Sequence, residues 1–155
     1  MAINLKNFLL SQNRKSIIGH FQDLDHIDGV AISTISANLY KDPRDDLVLF
    51  YFRDGANCAS VYTQSKIISE NIKWNLNVKN NSIKALMVNT RNANAFTGKL
   101  GFKGIVQIAE ELSKQLTIKM TQDEEKINLV KPNQILFGCT GTIGEAFPTE
   151  KIKQS

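Results

Sequence analysis

The chain has 155 residues, 42% of them hydrophobic and 22% charged, which fits one globular domain with a proper core and excludes a disordered polymer. Nineteen Lys and Arg against fifteen Asp and Glu leave a net charge of +4, but the cations are scattered and not interleaved with aromatics, which argues against a nucleic-acid surface. There is no run of about 18 apolar residues to cross a membrane, and the two cysteines, Cys58 and Cys139, are too few for a disulfide framework and suit a reducing cytoplasm.

Residues 1–28 read as an N-terminal extension ahead of a single domain over 29–155. Within the extension, 3–22 reads as a weak helix and a tether with Lys6, Arg14 and Lys15 among apolar Leu5, Phe8, Leu9, Ile17 and Ile18. It lacks the Arg and Ser richness of a transit peptide and the apolar run of a secretory signal. Val30 to Ile35 alternates with strand period. Lys41 to Asp46 is a turn, with Pro43 setting one dihedral and the Asp residues bonding the backbone locally. Leu47 to Phe52 is apolar on both faces and reads as a fully covered central strand. Asp54 to Asn57 then reads as a turn into a further strand, Cys58 to Thr63, paired antiparallel with it.

Ile67 to Trp74 is ambiguous, and the polar, Asn-rich 75–82 reads as a loop; its Asn80-Asn81-Ser82 is formally a sequon, but in a cytoplasmic chain only a turn. Lys84 to Asn89 is a short buried strand. Gly98 to Leu116 is the clearest helix, because Ile105, Ala109, Leu112 and Leu116 recur at helical intervals on one face. Residues 119–133 are polar, with Asp123-Glu124-Glu125 a solvated loop, and Gln134 to Cys139 is a strand. Pro148 opens a last helix. Strands, helix, then strand, with antiparallel pairing, suggest an α/β or α+β sandwich of mixed sheets covered by helices rather than a doubly wound sheet.

Two segments follow buried strands and have the residue types for chemistry. In Val88 to Gly98 three closely spaced residues, Asn89, Asn92 and Asn94, suit left-handed dihedrals and local backbone bonds, and taken alone the segment reads as a turn with Asn94 or Thr97 capping the helix. In Phe137 to Pro148 a Gly-spaced turn with hydroxyls, Gly138-Cys139-Thr140-Gly141-Thr142, lets consecutive amides face one point. Two such donors, with a Thr hydroxyl beside them, would stabilise an oxyanion during acyl transfer; an ordinary strand-to-helix turn is the equal alternative. The glycine spacing matches neither a dinucleotide fingerprint nor a P-loop.

Together with Val61-Tyr62-Thr63-Gln64 and Pro148-Thr149-Glu150-Lys151-Ile152, these two segments resemble the glutamate N-acetyltransferase (ornithine acetyltransferase) family of arginine biosynthesis, from about Gly29 to Ile152. The resemblance implies the α/β fold of self-cleaving acetyltransferases and aminopeptidases. It implies acetyl transfer from N-acetylornithine to glutamate, with no resident cofactor and acetyl-CoA as a possible co-substrate. It also implies an oxyanion hole at Thr140 and Gly141, and a nucleophilic Thr at the head of a second (beta) chain whose own α-amine can act as base. A higher oligomer is expected. Two positions depart from the family: Arg91 stands where Gly is usual, at a cost of about 1–2 kcal/mol if φ is positive there, and Cys139 where a small residue is usual.

The region that would supply the nucleophile has no match in this chain, so no residue here is assigned that role. Two other readings stay open: a hydrolase of the N-terminal-nucleophile amidase type, and a non-catalytic remnant or binding subunit. His20 and His26 lack metal-ligand spacing, and Cys58 reads as a small hydrophobe on a strand. Cys139, in a turn with converging amides, is the better candidate for a reactive thiol. Phe50, Tyr51, Phe52 and the Ile105 face call for partners, so a dimer, a partner chain or aggregation is expected.

Overall fold

The computed structural model describes residues 27–79, 82–123 and 129–155. The helix and tether read at 3–22, His20, His26, and the loop residues Asn80, Asn81, Glu124 and Glu125 lie outside the described residues. Strands β1 (Val30–Ile35), β2 (Leu47–Asn57), β3 (Ser82–Asn89) and β4 (Ile135–Cys139) form one sheet in that order. β1–β2 and β2–β3 are antiparallel and β3–β4 is parallel. The helices are α1 (Glu70–Asn77), α2 (Gly98–Asp123) and α3 (Thr149–Gln154). A parallel pair needs a crossover, and α2 supplies it. The mixed α/β class expected from the sequence is the one observed.

Alternation places the core. In β3 every second residue is buried, and Ile83, Ala85, Met87 and Asn89 share one face. Leu47 and Tyr51 of β2 and Ile135 and Phe137 of β4 join that face and meet Ile105, Ile108, Ala109 and Leu116 of α2 and Ile152 of α3 in one cluster. Each fully buried Leu, Ile, Met or Phe among them contributes about 1.5–3 kcal/mol by leaving water. Just past the last residue of the apolar stripe of α2, the Thr117 hydroxyl accepts the Val130 N–H at 2.9 Å.

The opposite face of the sheet has no helix on it among the described residues. Register aligns Ile32, Phe50, Leu86 and Leu136 in one apolar row across all four strands. Ile32 is 62% exposed, and Phe50, Leu86 and Leu136 are half-buried. The expectation of a strand covered on both faces at 47–52 is therefore corrected: Leu47 and Tyr51 are buried, while Val48, Phe50 and Phe52 are only half-buried.

The expected hairpin of 47–52 with 58–63 does not form either. β2 already has a neighbour on each edge, so no backbone groups are left for a third partner. Instead of turning at 54–57, the chain continues as strand through a register shift between Tyr51 and Ala56, with Gly55 at φ 84. This is a bulge, not a turn. Residues 58–63 are irregular, and Val61 is 98% exposed.

The ambiguous Ile67–Trp74 stretch and the supposed loop after it hold α1, which covers the outer edge of β4. Trp74 Nε1 donates to the Ile135 carbonyl at 2.9 Å. Asn75 acts as a one-residue strand: its Nδ2 donates to the Phe137 carbonyl at 2.9 Å and its Oδ1 accepts the Phe137 N–H at 3.0 Å. An edge otherwise open to pairing is thus closed by side chains. Where a turn with local Asp bonds is expected, 41–46 is an irregular connection bent at 41–42, and buried Asp46 instead reaches back to accept the N–H groups of Ala37 and Leu39 at 2.6 and 2.7 Å. Pro148 is the N-cap of α3, one position before the helix proper.

Candidate active site

β3 and β4 are adjacent and parallel, so the loops that leave their C-terminal ends emerge side by side, the usual place for a site in such sheets. The two segments singled out in the sequence are these loops. The ladder ends at Asn89 opposite Cys139, and the loops extend it. The Thr140 N–H donates to the Asn89 carbonyl at 3.1 Å, the Thr142 N–H to Arg91 at 2.9 Å, the Ala93 N–H to Thr142 at 3.0 Å and the Gly144 N–H to Ala95 at 2.9 Å.

The three asparagines are 0–2% exposed and act as internal struts. Asn89 Nδ2 donates to the carbonyls of Thr90 (3.0 Å) and Asn92 (2.8 Å). Asn92 Nδ2 reaches across to the Glu145 and Ala146 carbonyls, both at 3.2 Å, while its Oδ1 accepts the Asn94 N–H at 2.8 Å. Asn94 Nδ2 holds the Gly101 carbonyl at 3.2 Å, and its Oδ1 accepts the Thr97 hydroxyl at 2.6 Å. Among the described residues neither Asn94 nor Thr97 accepts a first-turn N–H of α2 through its side chain, so the expected cap is replaced by a brace between the loop and the helix. Asn was readable here as a turn former; what it holds, 53 or 54 residues away, was not.

The bracing holds an unusual backbone. Arg91, Asn94 and Phe96 have φ of 75°, 47° and 60°. Arg91 thus does occupy the positive-φ position anticipated for a glycine. Its guanidinium grips the second loop: Nη1 donates to Glu145 Oε2 at 2.7 Å and to the Thr142 hydroxyl at 2.8 Å, and Nη2 to Glu145 Oε1 at 3.2 Å. The Glu145 carboxylate, by hydrogen bond and by charge, pushes the Arg91 pKa further up. Sequence spacing could not have revealed this pair; the signal was an Arg at a glycine-like position.

Gly141 has φ 133, and a Cβ there would collide with the Arg91 carbonyl group and the Asn92 nitrogen. Only glycine allows the two loops to come this close. The expected pair of amides needs correction at one member: the Thr140 N–H is spent on the Asn89 carbonyl. The Gly141 N–H and the Thr140 hydroxyl have no hydrogen-bond partner among the described residues. Both residues are exposed. The neighbouring groove of about 490 Å³ is lined by Phe96, Leu100, Gly144, Glu145 and Phe147 rather than by them.

Cys139 is corrected as a reactive thiol. Burial pushes its pKa up to about 12. Its alkylation is expected to be slow near pH 8 and to climb about tenfold per pH unit as the thiolate fraction grows. Mass-spectrometric labelling that levels off by about pH 9 would contradict this. No group of His, Cys, Asp and Glu among the described residues could hold a metal ion, and no described helix is long and apolar enough to cross a membrane.

Residues 31–155 match the sequence profile of the ArgJ family. The chain belongs to the ArgJ family. Among its ArgJ relatives, the arginine biosynthesis bifunctional protein of Bartonella henselae is 32% identical over 135 residues, covering 86% of this chain and 30% of that protein. The Caulobacter vibrioides protein of the same name is 29% identical over 136 residues, covering 85% and 31%. The chain thus spans about a third of the length of the ArgJ proteins it matches. Two solved structures share the fold, each aligning with 82% of this chain. ArgJ of Bacillus halodurans has a TM-score of 0.69 at 23% identity, with 61% of its chain covered. Ornithine acetyltransferase of Mycobacterium tuberculosis, complexed with ornithine, has a TM-score of 0.72 at 22% identity, with 63% covered.

Proposed function

We propose that this chain is the oxyanion-stabilising part of an acetyltransferase of arginine biosynthesis, acting in the cytoplasm on N-acetylornithine and glutamate. The observation that carries this reading is the pair of free donors, the Thr140 hydroxyl and the Gly141 N–H, fixed at the C-terminal end of a parallel strand pair. In an ArgJ-family chain such a pair suits acyl transfer.

A nucleophilic Thr hydroxyl on a second chain attacks the acetyl carbonyl carbon, and its proton passes to that residue's own α-amine. The carbonyl π electrons move to oxygen, and the oxyanion accepts hydrogen bonds from Thr140 and Gly141. Collapse breaks the C–N bond and ornithine leaves with the proton; the glutamate amine then attacks the acetyl-Thr ester, the ester C–O bond breaks, and the proton lost by the amine returns through the α-amine to the freed Thr hydroxyl. Acetyl-CoA would enter at the first step, with a thiol as leaving group.

The open position of Thr140 and Gly141 supports a site completed by other polypeptide. So does the apolar row Ile32, Phe50, Leu86 and Leu136, a surface suited to a second apolar sheet packed about 10 Å away. In this reading that sheet belongs to the second chain. A binding subunit is the competing reading.

The test is an assay of acetyl transfer from N-acetylornithine to glutamate. The purified chain alone is expected to give none. Co-expression with the remaining portion of the Bartonella henselae relative is expected to give turnover that a Thr→Ala change of the partner's nucleophile abolishes. A complex that forms but does not turn over would establish the binding subunit instead. Turnover by the isolated chain would place the nucleophile within it and overturn the proposal.

A further inference from the structure

We infer that Arg91 is a positioning residue for the Thr140–Gly141 donor pair, replacing the freedom of a glycine with a side-chain clamp. The inference rests on the reading of Gly141 as an oxyanion donor. At φ 75 an Arg has no backbone advantage over Gly, so its place there needs a side-chain reason. The guanidinium fork provides one. It holds both oxygens of Glu145 and the hydroxyl of Thr142, on either side of residues 143 and 144.

The same residue's carbonyl accepts the Thr142 N–H at 2.9 Å. Its peptide is the surface against which Gly141 packs without room for a Cβ. Main chain and side chain of Arg91 therefore both hold Thr142, the residue next to Gly141, and the side chain reaches on to Glu145, while Gly141 itself is pressed against the Arg91 peptide. A flexible turn would have to order its N–H when charge develops; a clamped one presents it beforehand, which is the condition for oxyanion stabilisation. Two-pronged contact with a carboxylate fixes direction as well as distance, which a Lys could not do. The clamp is ionic and partly exposed, with side-chain exposures of 36% and 47% for Arg91 and Glu145. It should therefore weaken as salt is raised.

The test uses the full 155-residue chain and NMR. One readout is amide hydrogen exchange at Thr142 and Ala93, the bonds that join the loops. The other is the shift of the Gly141 amide on titration with sodium acetate, a probe with a carboxylate oxygen for the donor site. In Arg91→Gly, exchange at both amides is expected to rise about tenfold or more and the acetate affinity at Gly141 to fall about tenfold, while exchange in β3 is unchanged. Arg91→Lys, which keeps the charge but not the fork, is expected to behave like Arg91→Gly.

Exchange within about twofold of the wild type in Arg91→Gly would overturn the clamp. So would loosened exchange with an unaltered acetate response. Full acetate affinity in Arg91→Lys would show simple charge attraction and also overturn it. A wild-type chain whose Gly141 amide ignores acetate would instead sink the donor reading itself, and the positioning role with it.

Discussion

Thr140→Ala is expected to lower turnover of the assembled enzyme roughly 10²–10³-fold, the usual cost of losing one oxyanion donor. The substitution removes a hydroxyl that bonds to nothing among the described residues, on an exposed residue. It leaves intact the Thr140 N–H, which continues the β3–β4 ladder through Asn89. Thermal stability and exchange at Thr142 should therefore stay at wild-type values. The loss should fall on kcat rather than KM, because the ground-state carbonyl asks far less of the donor than the oxyanion does. Thr140→Ser keeps the hydroxyl and should retain most of the rate. Steady-state kinetics with N-acetylornithine and glutamate check both variants against the wild type. A Thr140→Ala enzyme with unchanged kcat would remove Thr140 from the mechanism and leave Gly141 as the sole donor.

How much of this was legible in the sequence depends on the range of the interaction. β1 and β4, the buried β3 and the start of α2 announce themselves through period, which is local. The two loops announce themselves through Asn and Gly, which are local signals too. The misreadings were all tertiary. Residues 58–63 alternate like a strand, but both edges of β2 were already occupied. Asp54-Gly55 looks like a hairpin turn, yet pairing of Ala56 with Ile83 on β3 converts it into a bulge.

α1 has little apolar stripe of its own. It exists because Trp74 and Asn75 find carbonyls and an N–H on the edge of β4, more than 60 residues away. The site divides in the same way. Gly141 could be singled out as a flexible turn residue; that Arg91 fills the space a Cβ would need could not. The spent N–H of Thr140 is likewise a matter of register between β3 and β4, and register is written across two strands rather than in either one.

Phe137→Ala is expected to cost about 3–5 kcal/mol of folding stability, a large fraction of the roughly 5–15 kcal/mol margin of a folded domain. Phe137 is 2% exposed and lies in the middle of β4. Its ring stands edge-on to Trp74 at 6.0 Å and packs in the cluster that includes Met87 and Ile135. Its main chain exchanges two bonds with Asn75. Truncation would leave a cavity where α1, β3 and β4 meet, directly beneath the parallel pair from which both site loops spring. The chain cannot close that cavity cheaply, because Asn75 and Trp74 hold α1 to the strand edge by polar bonds that a shift would break. Urea denaturation followed by tryptophan fluorescence measures the change at Trp74, the single tryptophan of the chain. A loss under about 1 kcal/mol would mean that the β4–α1 seam is plastic, contrary to the packing described. Phe137→Leu retains much of the volume and should recover most of the loss. Thr140→Ala, three residues further along, should leave stability untouched, so the two substitutions separate what holds the loops in place from what the loops present to an acyl group.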